Sequence, residues 1–548
     1  MTDKVIVTNM SALKSKYKPA GMKAIDTAIK KLIAADKKRD LKTIVIALDD
    51  AKAMKELGAK PVADASSFKE NKTAIDGVYA ALAPDYLMIL GAIDVVPHQD
   101  LKNSVFSTKP DGDAEKFAFG DLPYACDAPY SRNIKDFTGP TRVVGRLPDL
   151  TGQDKPDYLV GLLETAATWK SFKKSDYQPY LGISAEVWQE STALSLANIF
   201  NSSDDLQTSP TQGFKWKAKL INRRTHFINC HGDDTFPDFL GQSSTDEDDM
   251  PTSHQAAFIA KTGKIVEGTI AAAECCFGGQ LYDPSGADGQ MGMCNTYLDK
   301  KAYGFFGSTT TAYGPETGND QADLICQYFI QRVLAGASLG RAALEARQRF
   351  VEKSLPLSPT NRKTLAQFNL YGDPSIVPVA SSTANNVIAA VKATSKSAVA
   401  SNAVEAAGAV ERSERRRTLR AKGALLSELQ PHMTRSKQAA PPRIRTSLEK
   451  IMDQLNFRPV DCISYKVQAA PKIPLISKSA AKSPAVKKPS TTAFHVMFGR
   501  RRDAETPAAV AATTDGADNK KRPIRKLVVL EAKEVDGKIV SVKEAHSK

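Results

Sequence analysis

The sequence lacks the features that mark membrane-spanning and secreted proteins. It contains no run of 18 or more apolar residues, the length that a helix needs to cross a bilayer. Its first residues, MTDKVIVTNMSALKSKYKPAG, hold neither a long apolar stretch nor a small-residue cleavage site, so no secretory signal is predicted. We therefore expect a cytoplasmic protein without a membrane span.

Cysteine is scarce, and its spacing excludes two common structural roles. The seven cysteines are Cys126, Cys230, Cys275, Cys276, Cys294, Cys326 and Cys462. Their odd number, without a secretory signal, favours reduced thiols over a disulfide framework. No Cys-x-x-Cys pair or Cys/His ligand spacing indicates structural zinc, and the glycine-rich motifs that bind nucleotide phosphates are absent. These absences predict no cofactor.

Positive charge is concentrated in the last third of the chain. From Ser381 onward there are 32 Lys and Arg against 15 Asp and Glu, an excess of +17, which leaves −3 for residues 1–380 of the net +14. The asymmetry indicates a nearly neutral body that carries a basic tail.

The body alternates strand-like and helix-like segments. Buried strands are predicted at KTIVIALDD (42–50) and DYLMILGAIDVVP (85–97), and helix-patterned stretches lie between such runs. This rhythm predicts an α/β fold whose mostly parallel sheet is flanked by helices. We divide the body into two subdomains, 1–178 and 179–380.

The tail, residues 381–548, is rich in Ala, Lys, Ser, Thr, Pro and Arg. Such a composition buries too little apolar surface to offset the entropy of ordering, so the tail is predicted to be mainly disordered, with short helices near 410–430 and 445–455. At its end, KLVVLEAKEVDGKIVSVKEA has two alternating runs around Asp-Gly, which predicts a β-hairpin at 526–545.

Two segments have the residues that nucleophilic catalysis requires. THFINCHG (225–232) and IAAAECCFGG (270–279) are apolar strands that end in polar, Gly-containing turns. The carboxyl ends of strands in an open α/β sheet line its ligand crevice. A cysteine nucleophile needs a base such as His, and backbone N–H groups that hold the oxyanion. The alternative interpretations are a buried core cysteine and a structural histidine.

Both segments resemble the motifs of caspase-like cysteine peptidases. FINCHG is similar to their strand-His-Gly motif, and AECCFGG resembles the D-C-C-H-S-G motif of metacaspases, whose second Cys is the nucleophile. Further matches, PDYLMILGAIDVVP, RVVGRLP and LAQFNLYGDPSIVP, extend the resemblance to gingipain-type peptidases over about residues 40–380. The resemblance implies a caspase-like fold and a cysteine endopeptidase.

The resemblance also implies roles for individual residues. Cys276 is the expected nucleophile, with Cys275 as a buried neighbour, although the other register stays open. His231 is the expected partner of Cys276, and the N–H groups of Gly232 and Cys276 are expected to hold the oxyanion. Glu186, in YLGISAEVW, matches a Glu that supports the catalytic His in gingipains; the alternative is a solvated carboxylate.

The expected specificity is for Arg or Lys. Gln189 and Glu190 lie where Arg-specific gingipains carry an acidic pocket residue, and DEDD at 246–249 adds negative charge nearby. The acidic loops DDTFPD (233–238) and STDEDDMP (244–251) are also considered as a calcium site or as plain solvated loops.

Two classes of function follow. The first is a cysteine endopeptidase that acts on protein or peptide substrates. The second is a non-catalytic caspase-like scaffold or regulatory protein whose basic tail binds nucleic acid or another anionic partner. For the peptidase, the tail is expected to be a flexible regulatory extension that occupies the cleft, or is cut at ERRRT (414–418) and GRRRD (499–503); the alternative is an inert linker.

Overall fold

The computed structural model describes residues 2–380, 398–468, 491–502 and 526–548. Labels follow chain order. The first part contains β1 (Lys4–Thr8), α1 (Met10–Lys38), β2 (Thr43–Ala47), α2 (Ala51–Glu56), α3 (Phe68–Leu82), β3 (Tyr86–Leu90), β4 (Gln99–Lys102), β5 (Phe117–Gly120), β6 (Val144–Leu147) and α4 (Asp157–Thr168). Strands such as KVIVT are buried along their whole length, as expected for parallel strands that are covered on both faces.

The second part continues the same alternation of strands and helices. It contains β7 (Tyr180–Ala185), α5 (Gln189–Phe200), β8 (Leu206–Ser209), α6 (Ala218–Ile221), β9 (Thr225–Asn229), β10 (Phe239–Leu240), β11 (Thr252–His254), α7 (Ala256–Thr262), β12 (Ile270–Ala273), α8 (Met293–Asp299), β13 (Gly304–Ser308), β14 (Tyr313–Gly314), α9 (Gln321–Leu334), α10 (Leu339–Lys353), α11 (Pro359–Gln367) and β15 (Phe368–Tyr371).

One ten-stranded sheet joins the two parts. Its order is β2-β1-β3-β6-β15-β13-β12-β9-β7-β8, and every neighbouring pair is parallel except β13 and β15. The predicted α/β fold with a mainly parallel sheet flanked by helices is therefore confirmed. The proposed division at 178/179 falls between α4 and β7, within a chain that forms a single sheet.

A buried ion pair lies where the two parts meet. Arg146 of β6 is paired with Tyr371 of β15, and its guanidinium binds Asp121 with 2.6 Å between Nη2 and Oδ1. The same guanidinium donates to the carbonyls of Gly91 and Val96. Because a buried Arg needs several acceptors, this cluster fixes the loops around the junction.

The described parts of the tail form helices and a second sheet. They contain α12 (Ala398–Leu429), β16 (Met433–Arg435), α13 (Pro442–Gln454), β17 (Phe457–Val467), β18 (Thr492–Arg501), β19 (Val528–Val535) and β20 (Lys538–Ser547). The second sheet has the order β14-β20-β19-β18-β17-β16 and is antiparallel throughout. The predicted hairpin at 526–545 corresponds to β19 and β20, which meet at Asp536 and Gly537.

The expectation of a mainly disordered tail needs correction for these segments. Residues 398–468, 491–502 and 526–548 bury apolar side chains such as Leu448, Val496 and Val529. Their order comes from packing between segments that are far apart in sequence, which average composition does not register. The rest of that expectation, on 381–397, 469–490 and 503–525, lies outside the described residues.

Basic residues of α12 bind acidic residues of the body. Arg412 and Arg416 both contact Asp85, at 3.4 and 2.9 Å, and Arg420 contacts Asp127 at 3.0 Å. Part of the tail's positive charge is therefore neutralised within the chain. Among the described helices, none is both long and apolar enough for a membrane span.

Candidate active site

His231 and Cys276 follow neighbouring strands of the large sheet. Strands β9 and β12 are parallel partners, with Ile270 opposite Thr225, so the residues that follow them emerge at the same edge. Gly232 lies so close to Cys276 that a β-carbon there would overlap the Cys276 carbonyl. Glycine at this position therefore lets the turn after β9 pack directly against the turn after β12.

The His231 ring is buried and held by an amide. Its Nε2 lies 2.7 Å from Oε1 of Gln242, and its ring centroid is 4.4 Å from that of Trp188. Because Oε1 of an amide only accepts, Nε2 carries the proton and Nδ1 is left as the basic nitrogen. Burial lowers the pKa of His231 to about 3, so the neutral ring is favoured.

Glu186 does not take the predicted place behind His231. Its Oε2 accepts from the backbone N–H of Ser244 at 3.0 Å, in the loop that carries Gln242. The residue that holds the imidazole is thus Gln242, and Glu186 binds two residues further along the same loop. The partner of Nε2 is thus an uncharged amide where a carboxylate was expected, and the supporting role of Glu186 stays a prediction.

The two adjacent cysteines lie in different surroundings. The backbone N–H of Ala312 donates to Sγ of Cys276 at 3.2 Å, whereas Sγ of Cys275 lies inside the core, 3.9 Å from the carbonyl of Ile228. Burial raises the pKa of Cys276 to about 12 and that of Cys275 well above its usual range. Both thiols are buried, and Cys276 is the one that contacts the loop before β14.

Lys548 lies in the cleft beside Cys276. Its carbonyl oxygen accepts from the Cys276 N–H at 2.8 Å, and its own N–H donates to the carbonyl of Ala312 at 3.0 Å. The two preceding residues, His546 and Ser547, pair antiparallel with β14. The Cys276 N–H, predicted to be an oxyanion donor, therefore already holds a carbonyl oxygen; the same role for the Gly232 N–H stays a prediction.

The Lys548 side chain fills a buried acidic pocket. Its Nζ lies 3.0 Å from Oδ1 of Asp323 and 3.5 Å from Oε2 of Glu274, and all three side chains are fully buried. The Trp188 ring forms a wall, 5.0 Å from Nζ to its centroid. A β-carbon on Gly314 would overlap Cε of Lys548 and Oδ2 of Asp323, so the pocket exists because residue 314 has no side chain.

The two carboxylates influence each other. Burial and the neighbouring Asp323 raise the pKa of Glu274 well above its usual value, although Lys548 opposes the shift. A pocket with two buried carboxylates is stable when a cation lies between them, because unpaired buried charge is costly.

Gln189 and Glu190 are exposed at the beginning of α5. The carboxylates that surround the Lys548 ammonium are those of Glu274 and Asp323, so Gln189 and Glu190 take no part in this pocket and their substrate contact stays a prediction. Glu274 was visible in the sequence as the acidic residue of AECC. Asp323, on α9, had no sequence signal because it lies 49 positions after Glu274.

In the acidic loops near His231, two carboxylates accept hydrogen bonds from backbone N–H groups of their own loop. Asp233 accepts from the N–H of Thr235 at 2.7 Å, and Asp246 accepts from that of Asp248 at 3.0 Å. Within the described ranges, no group of three or more His, Cys, Asp or Glu side chains is arranged to hold a metal ion. The calcium expectation gains no support from these contacts.

Three solved structures are similar to parts of this chain. Two solved structures of the Saccharomyces cerevisiae separase–securin complex match at 12% and 11% identity over 44% of this chain and 14% of that chain, with TM-scores of 0.27 and 0.28. A structure described as "Structure of Protease" matches at 14% identity over 69% of this chain and 78% of that chain, with a TM-score of 0.42. No curated protein matches the sequence.

A family profile matches the part of the chain that carries Cys276. The profile is that of peptidase family C25, and it covers residues 236–379, which include Gln242, Glu274 and Asp323 and begin just after His231. Over this range the chain resembles peptidase family C25, the gingipain family, and the resemblance inferred from the sequence motifs is confirmed.

Proposed function

We propose that the protein is a cysteine endopeptidase that cleaves after Lys or Arg, with Cys276 as nucleophile and His231 as its acid–base partner. One observation carries the proposal: Lys548 has its carbonyl oxygen on the Cys276 N–H and its ammonium between Glu274 and Asp323. A substrate residue that precedes the cleaved bond would need both contacts. The match to a peptidase family supports the same chemistry.

The proposed mechanism assigns each of these groups a role. Nδ1 of His231 takes the Cys276 thiol proton as Sγ attacks the substrate carbonyl, whose oxygen is held by the N–H groups of Cys276 and Gly232. The imidazolium then gives the proton to the leaving amine, and a thioester remains on Sγ. Water attacks the thioester as His231 accepts its proton, the acid product is released, and His231 returns the proton to Sγ, which restores the thiol. Gln242 keeps Nε2 protonated, so proton exchange takes place at Nδ1.

Specificity comes from the acidic pocket. A Lys side chain in the substrate would bind Glu274 and Asp323 as Lys548 does, and Arg offers the same charge with more donors. A neutral side chain would leave both carboxylates buried without a cation. Such a loss costs several kcal/mol, enough to discriminate by about 100-fold or more.

The test is a peptide-library cleavage profile, with variants that distinguish the two cysteines. We expect Lys and Arg to dominate before the cleaved bond, Cys276→Ala and His231→Ala to lose turnover, and Cys275→Ala to keep it if it folds. Loss of turnover in Cys275→Ala alone would reverse the assignment of the nucleophile. A profile dominated by Asp or by large apolar residues would contradict the proposed pocket.

The proposal also includes a reducing compartment, and it has one alternative, a non-catalytic scaffold. All seven cysteines lie in the described part of the chain and are free thiols, which supports the cytoplasm or another reducing compartment. A scaffold that binds an anionic partner through its tail has to compete with the body for the arginines of α12. Labelling of Cys276 by a peptidyl electrophile that ends in Lys would separate the peptidase from the scaffold.

A further inference from the structure

We propose that strand β20 is an intramolecular competitive inhibitor of the active site and that Lys548 is its anchor. This inference rests on the proposed peptidase function, and it names how that function is held in check. It is carried by the backbone pairing of β20, by the charge at its end, and by the sheet that holds it.

The backbone of β20 enters the cleft as an extended substrate would. Ser547 is paired with Tyr313, and His546 with Gly314, in antiparallel register. Addition of an extended strand to an exposed strand is a common mode of peptide recognition, in which main-chain hydrogen bonds give affinity and side-chain pockets give specificity. While β20 is present, a substrate cannot use β14 or the Cys276 N–H.

The end of the strand matches the pocket in charge. Lys548, Glu274 and Asp323 have no exposed side-chain surface, so the ammonium is a cation enclosed by two buried acidic side chains. Removal of one partner from a buried ion pair leaves uncompensated charge. The closed arrangement is therefore stabilised by the same contacts that would select a substrate.

The strand is held near the cleft by the rest of its sheet. Residues of β20 pair with β19 along most of their length, and the N–H of Leu527 donates to Oγ of Ser547 at 2.8 Å. At the rim, Lys543 forms an ion pair with Asp320, and Nδ1 of His546 lies 3.4 Å from Glu316. A tethered ligand of this kind acts at an effective concentration in the millimolar range, which a substrate in solution rarely matches.

The closed cleft also favours the unreactive forms of the catalytic pair. His231 and Cys276 are 2% and 4% exposed, and the positive charges of Lys526 and Lys548 add to the burial that lowers the pKa of His231. Displacement of β20 would admit water and substrate together. Activation is then a local event, the release of one strand end, and it requires no change in the large sheet.

The test compares Lys548→Ala with Lys538→Ala in the full chain. Lys538 is at the other end of the same strand and is exposed, so its variant controls for the loss of a lysine. The substrate is a peptide with Lys immediately before the cleaved bond. We expect Lys548→Ala to lower KM by about ten-fold or more with little change in kcat, because the variant weakens a competitor that acts at millimolar effective concentration. Lys538→Ala should match the parent.

Two further measurements keep the test decisive. The peptide Glu-Ala-His-Ser-Lys, which reproduces residues 544–548, should inhibit Lys548→Ala competitively, whereas its analogue ending in Ala should not. Lys548→Met keeps the apolar stem and replaces Lys548→Ala if that variant does not fold, and Lys548→Arg should restore inhibition.

The outcomes are distinguishable. Cys276-dependent hydrolysis with the same KM in the parent and in Lys548→Ala would overturn the inhibition and leave the peptidase function standing. Absence of hydrolysis and of electrophile labelling in the parent and in all three Lys548 variants would overturn the peptidase function, and the inhibition with it.

Discussion

At the scale of single residues, the site is unusual in that an amide holds the His231 ring. An amide orients the ring but adds no negative charge to stabilise the imidazolium, unlike the carboxylate of a Ser-His-Asp triad. The negative charge that stabilises the imidazolium of His231 must therefore come from the thiolate that forms in the same step. Two substitutions test this arrangement, one at Gln242 and one at Glu186.

We expect Gln242→Ala to lower kcat by about 10- to 100-fold, the usual effect of removing a group that orients a ligand or catalytic side chain. Glu186→Gln is the matched control: the amide oxygen still accepts from Ser244 N–H, so its rate should stay within about two-fold of the parent. Steady-state kinetics in a Lys548→Ala background gives both numbers. A larger loss in Glu186→Gln than in Gln242→Ala would restore the role first expected for Glu186.

The pocket offers a second residue-scale prediction. In the Lys548→Ala background, Asp323→Asn should lower kcat/KM for Lys substrates by about 100-fold, because the substrate ammonium loses a buried counter-charge. Glu274→Gln should lower it less, because the pKa of the Glu274 carboxyl is already raised. Glu190→Gln is the control and should have no effect, since Glu190 is exposed. The opposite result, a loss with Glu190→Gln alone, would place the specificity residue on α5 after all.

The Cys276 thiol gives a pH prediction. Its pKa of about 12 means that the neutral thiol dominates at pH 7 and that the thiolate fraction rises about ten-fold per pH unit up to that value. Alkylation of Cys276 in the parent should therefore keep rising between pH 7 and 10, whereas Lys548→Ala, with an opened cleft, should level off at lower pH. Mass spectrometry of a Cys275→Ala background measures the rates. A plateau below pH 8 in the parent would show that the thiol is already activated.

At the scale of helices and strands, the sequence pattern predicted an element correctly where that element buries a continuous run of its own apolar residues. The predicted strands at 42–50 and 85–97 contain β2 and β3, and THFIN and IAAA form β9 and β12. The strands that carry His231 and Cys276 could be found in this way because parallel strands covered on both faces are continuously apolar. The pairing of Asp323 with Glu274 could not, because it depends on how α9 packs beside β12.

The tail shows why composition failed. Strand β17 mixes polar and apolar side chains, and β18 is buried only over its middle, Phe494 to Gly499. Helix α13 buries only Ile444, Leu448 and Met452 along one stripe. Averaged over 381–548, such narrow apolar faces are diluted by Lys, Ser and Pro, although each is sufficient once a partner element covers it.

The basic clusters first expected to be self-cleavage sites now lie in regular structure. ERRRT at 414–418 is inside α12, and residues 499–501 are in β18. A peptidase cleft binds extended chain with free backbone groups; α12 is helical, and β18 is paired on both sides with β17 and β19. We therefore expect no Cys276-dependent fragments that end at these residues in the folded protein. Incubation of parent and Cys276→Ala protein followed by mass spectrometry tests this. Fragments at 415–417 in the parent alone would show that α12 detaches under native conditions.

At the scale of the whole molecule, body and tail share contacts that neither can replace. Leu426 of α12 is buried in the same apolar cluster as Phe306 and Phe329, and the buried carboxylate of Glu531 accepts from Thr360 at 2.7 Å. We expect a chain that ends at residue 380 to unfold at a temperature at least several degrees lower, since each lost contact of this kind is worth about 1 kcal/mol or more. Differential scanning calorimetry of both chains is the measurement, and an unchanged midpoint would show that the body folds alone.

The pocket between Glu274 and Asp323 binds the chain's own Lys548 with the groups proposed to select substrate, so one site would govern both selectivity and restraint. A substitution that changes the preferred substrate would then also change the inhibition by β20. If the pocket acids were replaced by neutral residues, Lys548 would no longer bind there. The peptidase would then be uninhibited until residue 548 changed to a side chain that fits the new pocket. Across related chains, the pocket acids and the residue at this position should therefore covary.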